Sequence, residues 1–188
     1  MPASGFTSLP GTMAGPLSFD PIAEARRQWD EHWGGRATAS MAAVTSIMRA
    51  QQIVMARLNE LLDPLDLTFP RYEALMLLFY SRKGALPLGK ISDRLQVHRA
   101  SVTNVIDKLV GSGYVERVQH GQDRRAVLAQ ITVEGRRAAR QATKLLNAAR
   151  FGMEPLDAPA CDALSLALTP LRSGAGDYEL PGESGRAA

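Results

Sequence analysis

Between Leu88 and Ile131 the apolar residues change period, and that change constrains the chain more than any other feature. Leu88, Ile91 and Leu95 recur at helical spacing, as do Val102, Val105, Ile106 and Leu109. Only Gln96, Val97 and His98 lie between the two segments, a connection as tight as a helix-turn-helix requires. The second helix is expected from Arg99 to Gly111. After Gly113, Tyr114 to Val118 and Ala126 to Ile131 read as two short strands joined by the polar, glycine-containing loop His120 to Arg125, a hairpin or wing.

The flanking segments predict more helices. Asp20 can cap a helix that takes Pro21 at its first position, runs to about Trp33 and stops at Gly34-Gly35. A longer helix is expected over Thr38 to Leu62. Val44, Met48, Met55, Leu58 and Leu62 follow one row and Ile47, Val54 and Leu61 an adjacent one, a stripe too wide for one partner surface. Pro64 breaks it, Thr68 with Pro70 opens the next, and Tyr72, Leu75, Met76 and Phe79 form its apolar face before the Lys83-Gly84 turn. Thr132 is expected to cap a helix reaching about Phe151. A final one, restarted at Pro155 or Pro159, carries Leu164, Leu166, Leu168 and Leu171 and ends near Pro170. Tyr72, Tyr80 and Tyr114 are expected to close the core with their hydroxyls outward.

These signals give a mainly α fold with a small β-wing, a winged helix-turn-helix. The expected divisions are a flexible leader at 1–19, N-terminal and dimerisation helices at 20–62, and a DNA-binding region at 63–132. C-terminal dimerisation helices at 133–171 and a flexible tail at 172–188 complete the chain. At 188 residues it has room for one domain of ordinary size, and 45% hydrophobic with 22% charged residues excludes a charge-dominated disordered chain.

Several function classes drop out. Cys161 is the one cysteine, so no intrachain disulfide forms; this suits a reducing cytoplasm, and its apolar neighbours favour a structural thiol over a redox sensor. No apolar run approaches the 18 residues a membrane span needs, and residues 1–19 lack the pattern of a signal peptide. His32, His98 and His120 are scattered without metal-ligand spacing, so no metal or cofactor is expected. No nucleophile elbow or close carboxylate pair is present either, which argues against an enzyme.

Charge placement points to nucleic acid. From Lys90 to Arg125 there are seven basic and four acidic side chains, a surplus equal to the +3 of the whole chain. On the helix from Arg99 to Gly111, a step of 100° per residue gathers Val102, Val105, Ile106 and Leu109 on one side. Ala100, Asn104, Asp107 and Gly111 centre on the other, flanked by Ser101, Thr103 and Lys108. Short side chains let a helix backbone approach base edges in the major groove. Asn104 can pair with adenine N6/N7, Ser101 or Thr103 with base or phosphate, Arg99 with guanine or backbone, and Lys108 with phosphate. Arg124 and Arg125 at the hairpin tip suit a narrower groove or its phosphates, with Asp123 orienting one guanidinium. The same residues also fit a solvated amphipathic helix and a generic charged loop, and a winged domain can equally serve protein–protein contacts.

The stretch Leu88 to Gly135 resembles the winged helix-turn-helix of the multiple antibiotic resistance regulator (MarR) family. The match is carried by Arg99-Ala100-Ser101-Val102-Thr103-Asn104-Val105-Ile106-Asp107-Lys108-Leu109, by Gly113-Tyr114-Val115-Glu116-Arg117, by Asp123-Arg124-Arg125, and by Leu128, Thr132 and Gly135. The resemblance implies a homodimer through N- and C-terminal helices, recognition helices in successive major grooves and wings in the minor grooves. It implies a regulator, expected as a repressor on an inverted repeat of double-stranded DNA. Asp20 to Trp33 resembles the extra first helix of a branch answering to small organic acids, closest to actinobacterial regulators of the trans-aconitate methyltransferase type. By that resemblance Trp29 or Trp33 takes a tryptophan role, Glu73 an acidic one and Arg117 an arginine role, while a urate-type arginine late in the recognition helix is missing. From the residues alone, Arg26, Arg27, His32 and Arg71 can supply charge-assisted bonds to an anionic effector beside an aromatic wall. Trp29 and Trp33, four residues apart, equally suit core or dimer contacts.

Overall fold

A computed structural model describes residues 17–119 and 127–178. Helix α1 spans Pro21–Trp33, where Asp20 accepts a hydrogen bond from the Ile22 N–H at 2.9 Å and Gly34, at φ 68°, ends the helix. Helix α2 spans Thr38–Leu62 and α3 spans Phe69–Tyr80. The Phe69 N–H donates to Asn59 Oδ1 at 2.8 Å, so α2 itself caps α3. Strand β1, Ala85–Pro87, leads into α4, Leu88–Leu95, and α5, Arg99–Gly111. Strands β2, Val115–Gln119, and β3, Val127–Ile131, precede α6, Val133–Ala148, and α7, Ala158–Gly174. The architecture is mainly helical with one small antiparallel sheet, a winged helix-turn-helix.

The sheet has three strands in the order β1-β3-β2, one more than the expected hairpin. In β1, Ala85 pairs with Gln130 and Pro87 with Leu128. A three-residue strand is too short to show a period of two, and Pro87 sits at the end of an edge strand, where its missing N–H is tolerated. Strand β2 begins and ends one residue later than expected, and Ala126, expected to open the second hairpin strand, lies outside the described residues.

Two helix ends differ from expectation. Helix α6 stops at Ala148, not near Phe151, because Arg150 and Phe151 take left-handed conformations at φ 43° and 55°. Helix α7 continues through Pro170 to Gly174. Proline costs that helix one N–H, and the carbonyl left without a donor belongs to Leu166, an exposed residue that water can serve.

The core lies where α3, α5 and α6 meet the C-terminal part of α2, with Leu62, Leu75, Leu78, Ile91, Ile106, Leu109 and Leu146 fully buried. The α2 stripe divides accordingly: Leu58 and Leu62 are buried, whereas Val44, Ile47 and Met48 are exposed. Helix α7 buries no side chain, and Leu164, Leu166 and Leu171 face solvent. Tyr72 and Tyr114 enter the core but spend their hydroxyls internally, on Thr143 Oγ1 at 3.0 Å and on the Leu65 carbonyl at 2.9 Å. Tyr80 is 75% exposed and does not close the core. Among the described residues no helix is long and apolar enough to cross a membrane.

Candidate nucleic-acid interface

The tight joint between α4 and α5 rests on Gln96, which takes a left-handed conformation at φ 53°, and on Ser92, whose hydroxyl donates to the Val97 carbonyl at 2.7 Å. That joint fixes which side of α5 faces inward. Val102, Ile106 and Leu109 are buried and Val105 half-buried, while Ala100, Ser101, Thr103, Asn104, Asp107, Lys108 and Gly111 are exposed. The division is the one the helical period predicts. Apart from Arg99 and Lys108 the outer side carries short side chains, so the backbone of α5 can come close to a flat or grooved partner.

Individual side chains have distinct settings. Arg99 lies beside Gly89 at the start of α4, so its guanidinium sits at the junction of the two helices. Thr103 Oγ1 donates to the Arg99 carbonyl at 3.1 Å, leaving its oxygen as an acceptor. Asn104 makes no side-chain bond among the described residues and keeps both donor and acceptor available. Asp107 is held by Arg117 of β2 at 2.6 Å. Lys90 and Arg94, one turn apart on α4, are exposed as well; sequence reading counts them in the basic stretch without giving them a role. Asp123, Arg124 and Arg125, expected at the wing tip, lie outside the described residues, as do 1–16 of the leader and 179–188 of the tail.

Two bonds anchor the far end of α5. Ser112 Oγ donates to Asp66 Oδ2 at 2.5 Å, and the Tyr114 hydroxyl reaches Leu65 in the same α2–α3 junction. Asp66 is left-handed at φ 51° and also faces Arg71 Nη1 at 3.5 Å. Sequence reasoning missed this anchor, since Asp66 and Ser112 are 46 positions apart.

The residues expected at an effector site are spread out. Arg26 lines an open cleft of about 380 Å³ between α1 and the start of α2, with Arg27, Asp30 and Thr38. Trp29 and Trp33 approach each other at 6.4 Å between ring centroids, tilted by 45°, and Trp33 is 78% exposed. His32 Nδ1 donates to the Gln28 carbonyl at 2.8 Å. Arg27 is spent on Glu24 and Glu31, and its hydrogen bonds hold the Glu24 carboxyl down at about 2. Arg71 belongs to Asp66 and Arg117 to Asp107, so either must give up an ion pair to reach a ligand. Partial burial raises the Glu73 carboxyl above the usual range although the residue as a whole is exposed.

Comparison with known proteins locates this geometry. A family model described as MarR family matches residues 67–127. The MarR family transcriptional regulator Sco5413 from Streptomyces coelicolor is 46% identical with a TM-score of 0.70, over 76% of this chain and 99% of that one. The chain belongs to the MarR family. A further relative, the HTH-type transcriptional regulator PrsX of Escherichia coli, is 32% identical over 88 residues, 47% of this chain and 53% of that protein. The chain thus spans about half the length of the curated relatives it matches. A cysteine mutant of E. coli MarR, solved with operator DNA, shares the fold at 24% identity and a TM-score of 0.63, covering 73% of this chain and 98% of that one. These relatives are named as transcriptional regulators, not as enzymes.

Proposed function

We propose that this MarR-family chain is a cytoplasmic, homodimeric repressor that binds an inverted repeat in double-stranded DNA and is released by a small anionic organic ligand. The observation that carries the reading is the outer side of α5, where Ala100, Ser101, Thr103, Asn104 and Gly111 stand exposed on a helix whose opposite side is fixed in the core. In this reading Asn104 reads adenine, Arg99, Ser101 and Thr103 contact bases or phosphates, Lys108 contacts phosphate, and Arg124 and Arg125 enter the narrower groove or bind its phosphates with Asp123 orienting one guanidinium. The DNA-binding region is 63–132, between dimerisation helices at 20–62 and 133–171.

The dimer is supported by what one subunit leaves uncovered. Val44, Ile47 and Met48 of α2 and Leu164, Leu166 and Leu171 of α7 expose more apolar surface than isolated residues would, and a two-fold partner covers them. Two recognition helices then meet major grooves about 34–36 Å apart. The effector reading rests on the charge-assisted bonds that Arg26, His32 and Arg71 can supply, and on Trp29 or Trp33, Glu73 and Arg117 through the likeness to regulators of the trans-aconitate methyltransferase type.

A mobility shift with the intergenic DNA flanking the gene tests both parts. The expected result is a complex that prefers this duplex over unrelated DNA and loses about a thousandfold or more in affinity between 50 and 200 mM salt if six to ten phosphates are contacted. Citrate, trans-aconitate or a simple aromatic acid is expected to release it. Equal binding to all duplexes removes the sequence-specific reading; no release by any of these acids removes the effector.

A further inference from the structure

At the corner where α3 ends and α6 begins, two arginines share one aromatic ring. The guanidinium carbons of Arg136 and Arg140 lie 5.8 and 5.5 Å from the centroid of Phe79, within the range of cation–π attraction. The residues are four apart on α6, so they stand one turn above each other on the same face. Gly84 completes the setting. Its φ is +67°, and a Cβ there would collide with Arg136 Nη2, so the guanidinium occupies space that only glycine leaves open. The Gly84 carbonyl is itself pinned by the Ile131 N–H at 2.8 Å, which fixes the turn to β3.

This corner has a surplus of unspent donors. Among the described residues neither Arg136 nor Arg140 has a salt bridge or donates a side-chain hydrogen bond, although each guanidinium carries five N–H groups. The adjoining turn adds Arg82 and Lys83, and α6 adds Arg137 and Lys144, all exposed. Against these six cations α6 and the turn offer one acid, Glu134, in a chain whose net charge is +3. Two neighbouring cations without counter-charge repel each other, and an oxyanion between them relieves that repulsion. The exposed ring of Tyr80, 5.6 Å from Phe79 and edge-on to it, borders the patch.

We propose that the Phe79–Arg136–Arg140 corner is a binding site for a small molecule carrying two adjacent phosphates. Each planar guanidinium can engage one phosphate through paired N–H···O bonds, and the one-turn spacing presents two such forks side by side. The stacking on Phe79 and the space above Gly84 pre-orient the forks, which lowers the ordering cost on binding. The site is independent of the DNA reading, because none of its residues belongs to the reading helix or the wing tip.

Calorimetric titration of the full chain with sodium pyrophosphate at physiological salt tests the assignment. The expected result is saturable binding, one anion per chain and weaker for orthophosphate. The double variant Arg136→Gln with Arg140→Gln is expected to weaken it at least tenfold. Arg136→Lys with Arg140→Lys, which keeps the charge and loses the forks, is expected to weaken it severalfold. Arg36→Gln with Arg49→Gln removes equal charge elsewhere and is expected to leave it unchanged. Thermal melts of each variant confirm folding. The proposal is overturned if the wild-type chain shows no saturable heat, if the Gln pair at 136 and 140 binds as the wild type does, or if the control pair loses as much. Orthophosphate binding as tightly as pyrophosphate overturns the two-phosphate assignment.

Discussion

Arg117 Nη2 sits 2.6 Å from Asp107 Oδ1, so an ion pair ties the first strand of the wing to the outer side of the recognition helix. The two side chains are 36% and 58% exposed, and water screens most of their attraction. The pair therefore contributes little to the stability of the fold. A double-mutant cycle with Asp107→Asn and Arg117→Gln is expected to give a coupling below about 1 kcal/mol in chemical denaturation, shrinking as salt is raised. A larger, salt-insensitive coupling would mean that the pair is desolvated.

Asn104 and Arg124 are expected to fail in different ways. Asn104→Ala should remove preference at one position per half-site, costing about 1–3 kcal/mol against the correct base, with the melting temperature unchanged because the side chain is exposed. Arg124→Ala should weaken many sequences alike and reduce the salt slope by about one. Binding to a panel of single-base operator variants separates the two. Equal loss of specificity in both variants would remove the division of labour between helix and wing.

What the sequence shows depends on whether the determinant is local. Helices α1, α2 and α5 start or stop where Asp20, Pro21, Gly34, Pro64 and Gly111 punctuate the chain, and the outward side of α5 follows from the 3.6-residue period alone. Strand β1 has no such signal, because three residues become a strand only through Leu128, Ala129 and Gln130 of β3. Pro170 misleads for the opposite reason: its local cost is real, but it falls on an exposed helix, where the Leu166 carbonyl that loses its donor is not shut inside the core. Within the site, the Asp66–Ser112 bond depends on a left-handed residue after α2 meeting the end of α5, a pairing no local pattern encodes.

That anchor has a measurable contribution. The Tyr114 hydroxyl donates to the Leu65 carbonyl at 2.9 Å beneath a ring that is half-buried. Tyr114→Phe keeps the ring and loses the bond, and is expected to cost about 0.5–1.5 kcal/mol in urea unfolding. No loss at all would show that water replaces the tyrosine at Leu65.

Glu73 predicts a pH dependence. Burial raises its carboxyl in the folded chain, so the native state holds the proton more tightly than the unfolded one. Stability from this group is then present at low pH and declines as pH rises from the ordinary glutamate value through the raised one. Glu73→Gln cannot ionise, so its melting temperature relative to wild type should climb as the pH is raised above the ordinary glutamate range, from about pH 4 upward. A difference that stays flat over this range, or falls, contradicts the assignment.

Two glycines in helices should respond oppositely to alanine. At Gly111, the last residue of α5, an added Cβ meets nothing within 4 Å, and the backbone is not in the left-handed region. Gly111→Ala should therefore be neutral or stabilise by up to about 1 kcal/mol through helix propensity. At Gly135, in the first turn of α6, a Cβ would strike the Tyr114 carbonyl oxygen and crowd Ile131. The struck atom is backbone and is set in place by the Thr132 N–H, which donates to it at 3.0 Å. Thr132 also accepts from the Gly135 N–H and donates to the Gly113 carbonyl, so the collision falls on the joint between wing and α6. Gly135→Ala is expected to destabilise by about 1–3 kcal/mol or more, since the neighbour cannot yield without breaking that joint. Thermal denaturation of the two single variants decides it, and equal melting temperatures would show that α6 shifts freely on the wing.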